Sequence, residues 1–168
     1  MMARANPTHA LRPYLPQDAA VLADIFRASV EELTEDDYTP AQQDAWASSA
    51  DDLEAFAERL GKHLTLIATV QGLPIGFISL DAPTEIGLFY VHPAAAGQGV
   101  GKMLYDAVEK LSSARGTAHL SVAASDTARE FFERCGFTPE QRNTVSVGNE
   151  WLSNTTMKKK LGAPEATL

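Results

Sequence analysis

Residues 85–104, EIGLFYVHPAAAGQGVGKML, decide how the rest of the chain is arranged. Ile86 to Val91 is an apolar run of strand length, His92-Pro93 turns the chain, and Ala94 to Gln98 is a loop of small residues. Val100, Met103, Leu104, Ala107, Val108 and Leu111 then recur at i, i+3, i+4, i+7, i+8 and i+11, one face of a helix. Gly97, Gly99 and Gly101 fall at the strand-to-helix junction. Glycine lets backbone approach a ligand closely, and a helix N-terminus offers unpaired N–H groups with a partial positive charge. The junction therefore predicts an anion site suited to phosphate or pyrophosphate. Its spacing is G-x-G-x-G and it lies mid-chain, whereas a dinucleotide fold wants G-x-G-x-x-G after its first strand. Met103 follows Gly101-Lys102 where a P-loop needs Ser or Thr.

Working outward toward the N-terminus, Asp81-Ala82-Pro83 turns into this strand from another at Leu73 to Leu80. Both parities of Ile75 to Leu80 are mostly apolar, as in a central strand covered on both faces. Gln71-Gly72 is a hairpin signal that pairs it with His63 to Val70. Before these strands lie three helices. Val21, Leu22, Ile25, Phe26, Ser29, Val30 and Leu33 stripe the first, with Asp18 in its opening turn. Thr39 caps the second, with Pro40 at its first position, and it carries Trp46. Asp51 or Asp52 caps the third, which carries Leu53, Phe56, Ala57 and Leu60 and ends at Gly61. Ala10 to Leu15 reads as a first strand, placed at a sheet edge by Pro13.

Toward the C-terminus, Ala118 to Ala124 is a strand. Thr127 and Glu130 form a capping-box pattern for a helix carrying Ala128, Phe131, Phe132 and Cys135. Strands at 137–147 and 150–160 follow, joined at Gly148-Asn149. Residues 1–8 and the tail from Gly162 read as flexible ends. Three antiparallel strands, then helix, strand and helix, predict an α/β sheet of mixed direction.

Three blocks carry a resemblance: Leu88 to Pro93, Ala96 to Gly101, and Ala128 to Phe137, reading AREFFERCGF. In this order and spacing they resemble the GNAT superfamily of acyl-CoA N-acyltransferases, over roughly residues 64 to 160. The resemblance implies a GNAT-like α/β fold, a mixed and mostly antiparallel central sheet of about 6–7 strands flanked by helices. It implies one N-acetyltransferase domain over residues 1–168, with a core over about 9–160. It also implies an activity, transfer of an acetyl group from acetyl-CoA to a small-molecule or peptide amine by direct attack of the deprotonated amine. A non-catalytic acyl-CoA-binding or sensing domain is the alternative.

Carried over by position, the resemblance puts the pyrophosphate on backbone N–H groups of the loop Ala96, Gly97, Gln98, Gly99, Val100, Gly101 and Lys102. Lys102 either adds charge or faces solvent. Ala96 departs from the family's usual Arg or Gln. The pantetheine arm pairs with Phe89, Tyr90 and Val91, and one N–H of that strand polarises the thioester carbonyl. Ser125, which stands where the family usually has Asn, lines the arm with Ala128, Phe131 and Phe132. Gly87 is either a bulge that splays the strand or a packing glycine.

Glu85 is the expected general base, on the parity of Gly87, Phe89 and Val91, or else a solvated strand end; Asp81 and His92 are reserves. Phe132 occupies the position of the family's tyrosine, so the thiolate's proton comes from Tyr90, Tyr105, solvent or the substrate ammonium. Tyr38 and Trp46 are either acceptor contacts or core aromatics.

Composition adds bounds. The formal net charge is −8 with a pI near 4.9, which argues against a nucleic-acid partner. The single cysteine, Cys135, cannot form an internal disulfide, which favours the cytoplasm. His9, His63, His92 and His119 lie far apart without ligand spacing, so no metal site is expected. Neither a membrane span nor an export signal is expected. The chain is expected to be a monomer or a homodimer, and Val145, Val147, Trp151 and Leu152 form either a subunit contact or a cover for the chain's own core.

Overall fold

The computed structural model describes residues 8–162. Of the two expected flexible ends, residues 1–7 and 163–168 lie outside the described residues. Among the described residues, seven strands form one sheet in the order β1-β2-β3-β4-β5-β7-β6. They are β1 (His9–Pro13), β2 (Leu64–Val70), β3 (Leu73–Ala82), β4 (Glu85–Val91), β5 (His119–Ser125), β6 (Thr138–Val147) and β7 (Glu150–Lys160). Every neighbouring pair is antiparallel except β4 and β5, which are parallel. β1 lies at an edge, where its proline costs no ladder bond.

Helices cover both faces. On one lie α1 (Ala19–Leu33), α2 (Pro40–Ala47) and α3 (Leu53–Leu60), and on the other α4 (Val100–Ala114) and α5 (Arg129–Arg134). Alternation along the strands feeds both cores. Ile67 and Phe77 meet Leu22, Phe26 and Val30 on the α1 side, while Leu66, Ile78 and Leu80 meet Leu104 and Val108 on the α4 side. Leu22, Ile78 and Leu104 are fully buried, and each contributes about 1.5–3 kcal/mol of transfer free energy.

Two helix starts follow their local sequence. Thr39 accepts from Gln42 N–H, and the Gln42 side chain returns to Thr39 N–H, closing a capping box ahead of Pro40. Asp52 accepts from Ala55 N–H. The others do not. Asp18 closes a 3-10 turn over Pro16–Asp18 and binds Arg12 instead of opening α1 as a free dipole partner. Thr127 gives its hydroxyl to Asp37 across the fold, so the expected capping box is absent, and Ser125 Oγ accepts from Ala128 N–H in its place.

The strand parity expected for Glu85 is also broken. Phe89 pairs with Ile78 and Ile86 with Leu80, so Gly87 and Leu88 together oppose Ser79, a β-bulge. Ile86 and Phe89 consequently share the α4 face, whereas Leu88 and Tyr90 face α1. By alternation from Ile86, Glu85 belongs to the face of Leu88 and Tyr90, not that of Phe89 and Val91. Gly87 is needed there because a Cβ would lie 2.3 Å from Asp81 Oδ1. Ser79 Oγ accepts the Leu88 N–H at 2.8 Å and so satisfies the amide that the bulge displaces.

Candidate functional site

β4 and β5 pair only at Glu85–Ser121 and Ile86–Val122, and beyond Ile86 they separate. Leu88 N–H donates to Ser79 Oγ and His92 N–H to Ile75 O, so the amides of residues 88 to 92 with this parity face β3. Backbone groups alternate sides along a strand, so the N–H and C=O of Phe89 and Val91 face the gap. That free edge can take an extended ligand in strand fashion.

At the end of the gap, Gly97 and Gly99 adopt φ of 76° and 80°, the left-handed region that glycine enters without strain. A Cβ on either would meet nothing within 4 Å, so backbone conformation, not crowding, calls for glycine. α4 has no side-chain cap, and its first helical bond runs from Met103 N–H to Gly99 O. The N–H groups of Val100, Gly101 and Lys102 therefore have no intrahelical acceptor, and they form the positive end of a 15-residue helix. Lys102 is exposed and paired with Asp106 at 2.5 Å, which holds its ammonium pKa above the usual lysine value. Ala96 is exposed beside this loop, and Gln98 bonds back to Ala94 O at 3.3 Å.

Two cavities open along the gap. The smaller, about 170 Å³, is lined by Phe89, Val91, Ser125, Thr127, Ala128, Phe131 and Phe132 among others. The larger, about 370 Å³, lies on the α1–α3 side between Phe26, Tyr38, Phe56, Arg59, Gly87 and Asn154, with Val145, Val147 and Leu152 supplied by the last hairpin. Trp46, Tyr90 and Ser125 line both.

Tyr90 is held where the cavities meet. Its ring lies edge-on to Phe26 at 4.6 Å, and its hydroxyl accepts from Trp46 Nε1 at 3.2 Å. Burial pushes its pKa up to about 12, against a smaller opposing pull from the Trp46 bond and the Arg59 charge. Tyr38 is 6% exposed, and protein groups use its hydroxyl: it donates to Ser153 O at 2.7 Å and accepts from Asp126 N–H at 2.9 Å. Burial is the main cause of its raised pKa. Tyr38 thus lines the cavity with its ring and ties α1–α2 to β5 and β7 with its oxygen.

Other expected residues fall elsewhere. Glu85 is exposed and lines neither cavity. His92 caps the short turn Pro93–Ala95, its Nδ1 accepting from Ala94 N–H at 3.0 Å. Tyr105 is buried among Phe131, Phe132 and Phe137, away from both cavities, and burial raises its pKa strongly. Phe132 is buried at the edge of the smaller cavity and stacks edge-on with Phe89.

The sequence reading missed Arg59, which binds Asp81 through Nη2 at 3.0 Å and Nε at 3.4 Å and lines the larger cavity. It also assigned Phe26 and Phe56 to helix stripes without seeing that they wall a cavity. No group of three or more His, Cys, Asp or Glu among the described residues could hold a metal ion. No helix among them is long and apolar enough to cross a membrane.

Comparison with known proteins places this geometry in a family. The profile of an acetyltransferase (GNAT) domain matches residues 34–161. An uncharacterized N-acetyltransferase of Escherichia coli K-12, YafP, is 33% identical over 150 residues, spanning 89% of this chain and 95% of that protein. A crystal structure of a GCN5-related N-acetyltransferase (aminotransferase, class-II) from Rhodopseudomonas palustris is 58% identical. It superposes with a TM-score of 0.89 over 96% of this chain and 99% of its own. At 21% identity, PaiA N-acetyltransferase from Thermoplasma acidophilum, in complex with coenzyme A, shares the fold with a TM-score of 0.76 over 91% of this chain and 99% of its own.

Proposed function

The chain belongs to the GNAT family of N-acetyltransferases, and on that premise we propose that it moves an acetyl group from acetyl-CoA to the primary amine of a small acceptor. The observation that carries the reading is the junction of the two cavities at Tyr90, with the open edge of β4 on one side and an aromatic acceptor cavity on the other. Acetyl-CoA, when bound, supplies a thioester: an N–C bond forms, the C–S bond breaks, one proton leaves the amine and one ends on sulfur.

The chain's own residues divide that work. Amides of Gly97 through Lys102 hold the pyrophosphate at the start of α4. The N–H groups of Phe89 and Val91 hold the arm as an added strand, and one of them donates to the thioester carbonyl oxygen as charge builds there. Ser125, Ala128, Phe131 and Phe132 wall the arm from water.

Tyr90 sits against the leaving sulfur as a neutral phenol. Burial holds this phenol's pKa well above the ordinary tyrosine value, so it keeps its proton against the less basic thiolate. Tyr90 therefore donates a hydrogen bond to the sulfur, and the proton comes from solvent or from the amine. Glu85, on the acceptor face of β4 but outside the cavity lining, takes the amine proton through water.

Isothermal titration with acetyl-CoA, with NADH and ATP as controls, is the first test, followed by thiol release with an amine panel. Saturable binding of acetyl-CoA alone and amine-dependent thiol release are expected; absence of acetyl-CoA binding overturns the reading. Glu85→Gln should lower kcat/KM about 100-fold, within the range for loss of a general base. An unchanged kcat/KM in that variant removes Glu85 from the mechanism.

A further inference from the structure

We infer that the acceptor is a small amine with an apolar or aromatic body that also carries a carboxylate, and that Arg59 holds that carboxylate. The inference rests on the proposed acetyl transfer and adds the chemical class of its acceptor.

The larger cavity is walled by Phe26, Tyr38, Trp46, Phe56 and Tyr90, so an apolar or ring-bearing body fits it. Among the described residues, Arg59 is the only ionised side chain lining it, and no carboxylate does. A polyamine, or a lysine within a basic peptide, would bring its extra ammonium groups beside a guanidinium with no lining carboxylate to pair them.

Arg59 is also pre-positioned. Asp81 takes its Nε and Nη2, and Nη1 has no hydrogen-bond partner among the described residues. Guanidinium carries five N–H donors in a rigid planar fork, so one edge can stay fixed by Asp81 while another donates to a second carboxylate. Asp81 is fixed in turn, because its carboxylate lies directly over the Cα of Gly87 at the β4 bulge. Arg59 and Tyr90 line the same cavity, so a carboxylate held by Arg59 lies in the chamber that opens on the junction.

The test uses a matched pair. Wild type saturated with coenzyme A is titrated with L-phenylalanine and with phenethylamine, which differ by the carboxylate alone, with spermidine as a polycation. Thiol release is measured with acetyl-CoA and the same compounds. Phenylalanine should bind roughly tenfold more tightly than phenethylamine, as a charge-assisted bond to a half-exposed guanidinium allows, and spermidine should not bind. Arg59→Leu should bring the ratio close to one, and Arg59→Lys should keep part of it.

Equal or weaker binding of phenylalanine, binding of spermidine, failure of both matched compounds to bind, or a preference that survives Arg59→Leu overturns the inference. If Arg59→Leu unfolds because Asp81 is left unpaired, Arg59→Leu combined with Asp81→Asn takes its place. Coenzyme A binding separates the two levels. Wild type that fails to bind coenzyme A overturns the acetyl-transfer reading itself, whereas intact binding without a carboxylate preference overturns only the acceptor class.

Discussion

Tyr90 lines both cavities, and its hydroxyl is already engaged by Trp46 as donor, which leaves its own proton to point at a ligand. With its pKa pushed up to about 12, the phenol stays protonated throughout the working range. Tyr90→Phe should therefore lower kcat by about tenfold, the loss of one hydrogen bond, not by the larger factors expected when an obligatory acid is removed. Its pH profile should match wild type below pH ~10 because a phenol titrating near 12 contributes no limb there. A stopped-flow or steady-state profile that gains or loses an alkaline limb in this variant would contradict the assignment. Gly87 makes a second prediction at this scale. A methyl group placed 2.3 Å from Asp81 Oδ1 must displace the carboxylate that orients Arg59. Gly87→Ala should cost about 1–3 kcal/mol in urea unfolding, as overpacking does, and should also raise the acceptor KM.

The arrangement of elements explains what could be read from the chain alone. The β4–loop–α4 unit was legible because its signals are local: an apolar run, glycines at the turn and a 3.6-residue period. The bulge at Gly87 was visible as a lone glycine in a strand, but its consequence for parity was not. Parity across a bulge depends on which residue of β3 stands opposite, and that register is set by the hairpin and by Ser79, not by β4. Arg59 and Asp81 lie 22 positions apart on a helix and a strand, and nothing in either segment announces their pairing. Thr127 shows the opposite error, a local capping pattern overruled by a distant partner, Asp37. The β1–α1 junction yields a test of pH dependence. Asp18, with its side chain 8% exposed, accepts from Arg12 Nη1 and Nη2 at 2.8 Å each and from Leu15 N–H at 2.8 Å. The Arg12 bond is the main cause that holds its carboxyl below the ordinary 3.8. A depressed folded pKa stabilises above the unfolded value, and the gain is lost as pH falls through the folded one. Asp18→Asn should therefore cost about 2 kcal/mol at pH 7, with the gap from wild type constant above the ordinary carboxylate range and closing as pH falls below about 4. A gap independent of pH would show that packing, not the ion pair, is what Asp18 supplies.

Across the whole molecule the sheet is two half-sheets, β1 to β4 and β5-β7-β6, joined by a parallel contact of two residue pairs. Such a seam is weak by itself, and the α1–α2 segment braces it. The Tyr38 hydroxyl reaches Asp126 N–H and Ser153 O, Asp37 accepts from Thr127, and Gln42 Nε2 donates to Trp151 O. Trp46 reaches across to Tyr90 on the other half. A ligand whose arm lies along the free edge of β4 adds a further bridge, so binding and cohesion of the two halves are coupled. At 100 times its Kd a ligand of the native state adds about 2.7 kcal/mol, or roughly 5–10 °C in Tm for a chain of this size. Acetyl-CoA should therefore raise Tm by about that amount at saturation, while NADH and ATP leave it unchanged. Tyr38→Phe removes the oxygen that spans the seam and leaves a part-buried amide and carbonyl without their partner, so the unliganded protein should lose about 1–2 kcal/mol. If the brace and the ligand act on the same seam, acetyl-CoA should bind Tyr38→Phe more weakly than wild type, because the variant must first close the gap that Tyr38 holds. The rise in Tm at a fixed, subsaturating acetyl-CoA concentration should then be smaller in the variant. Equal affinities, measured by calorimetry beside the thermal scans, would show instead that α1–α2 stabilises the fold without tuning the gap between β4 and β5.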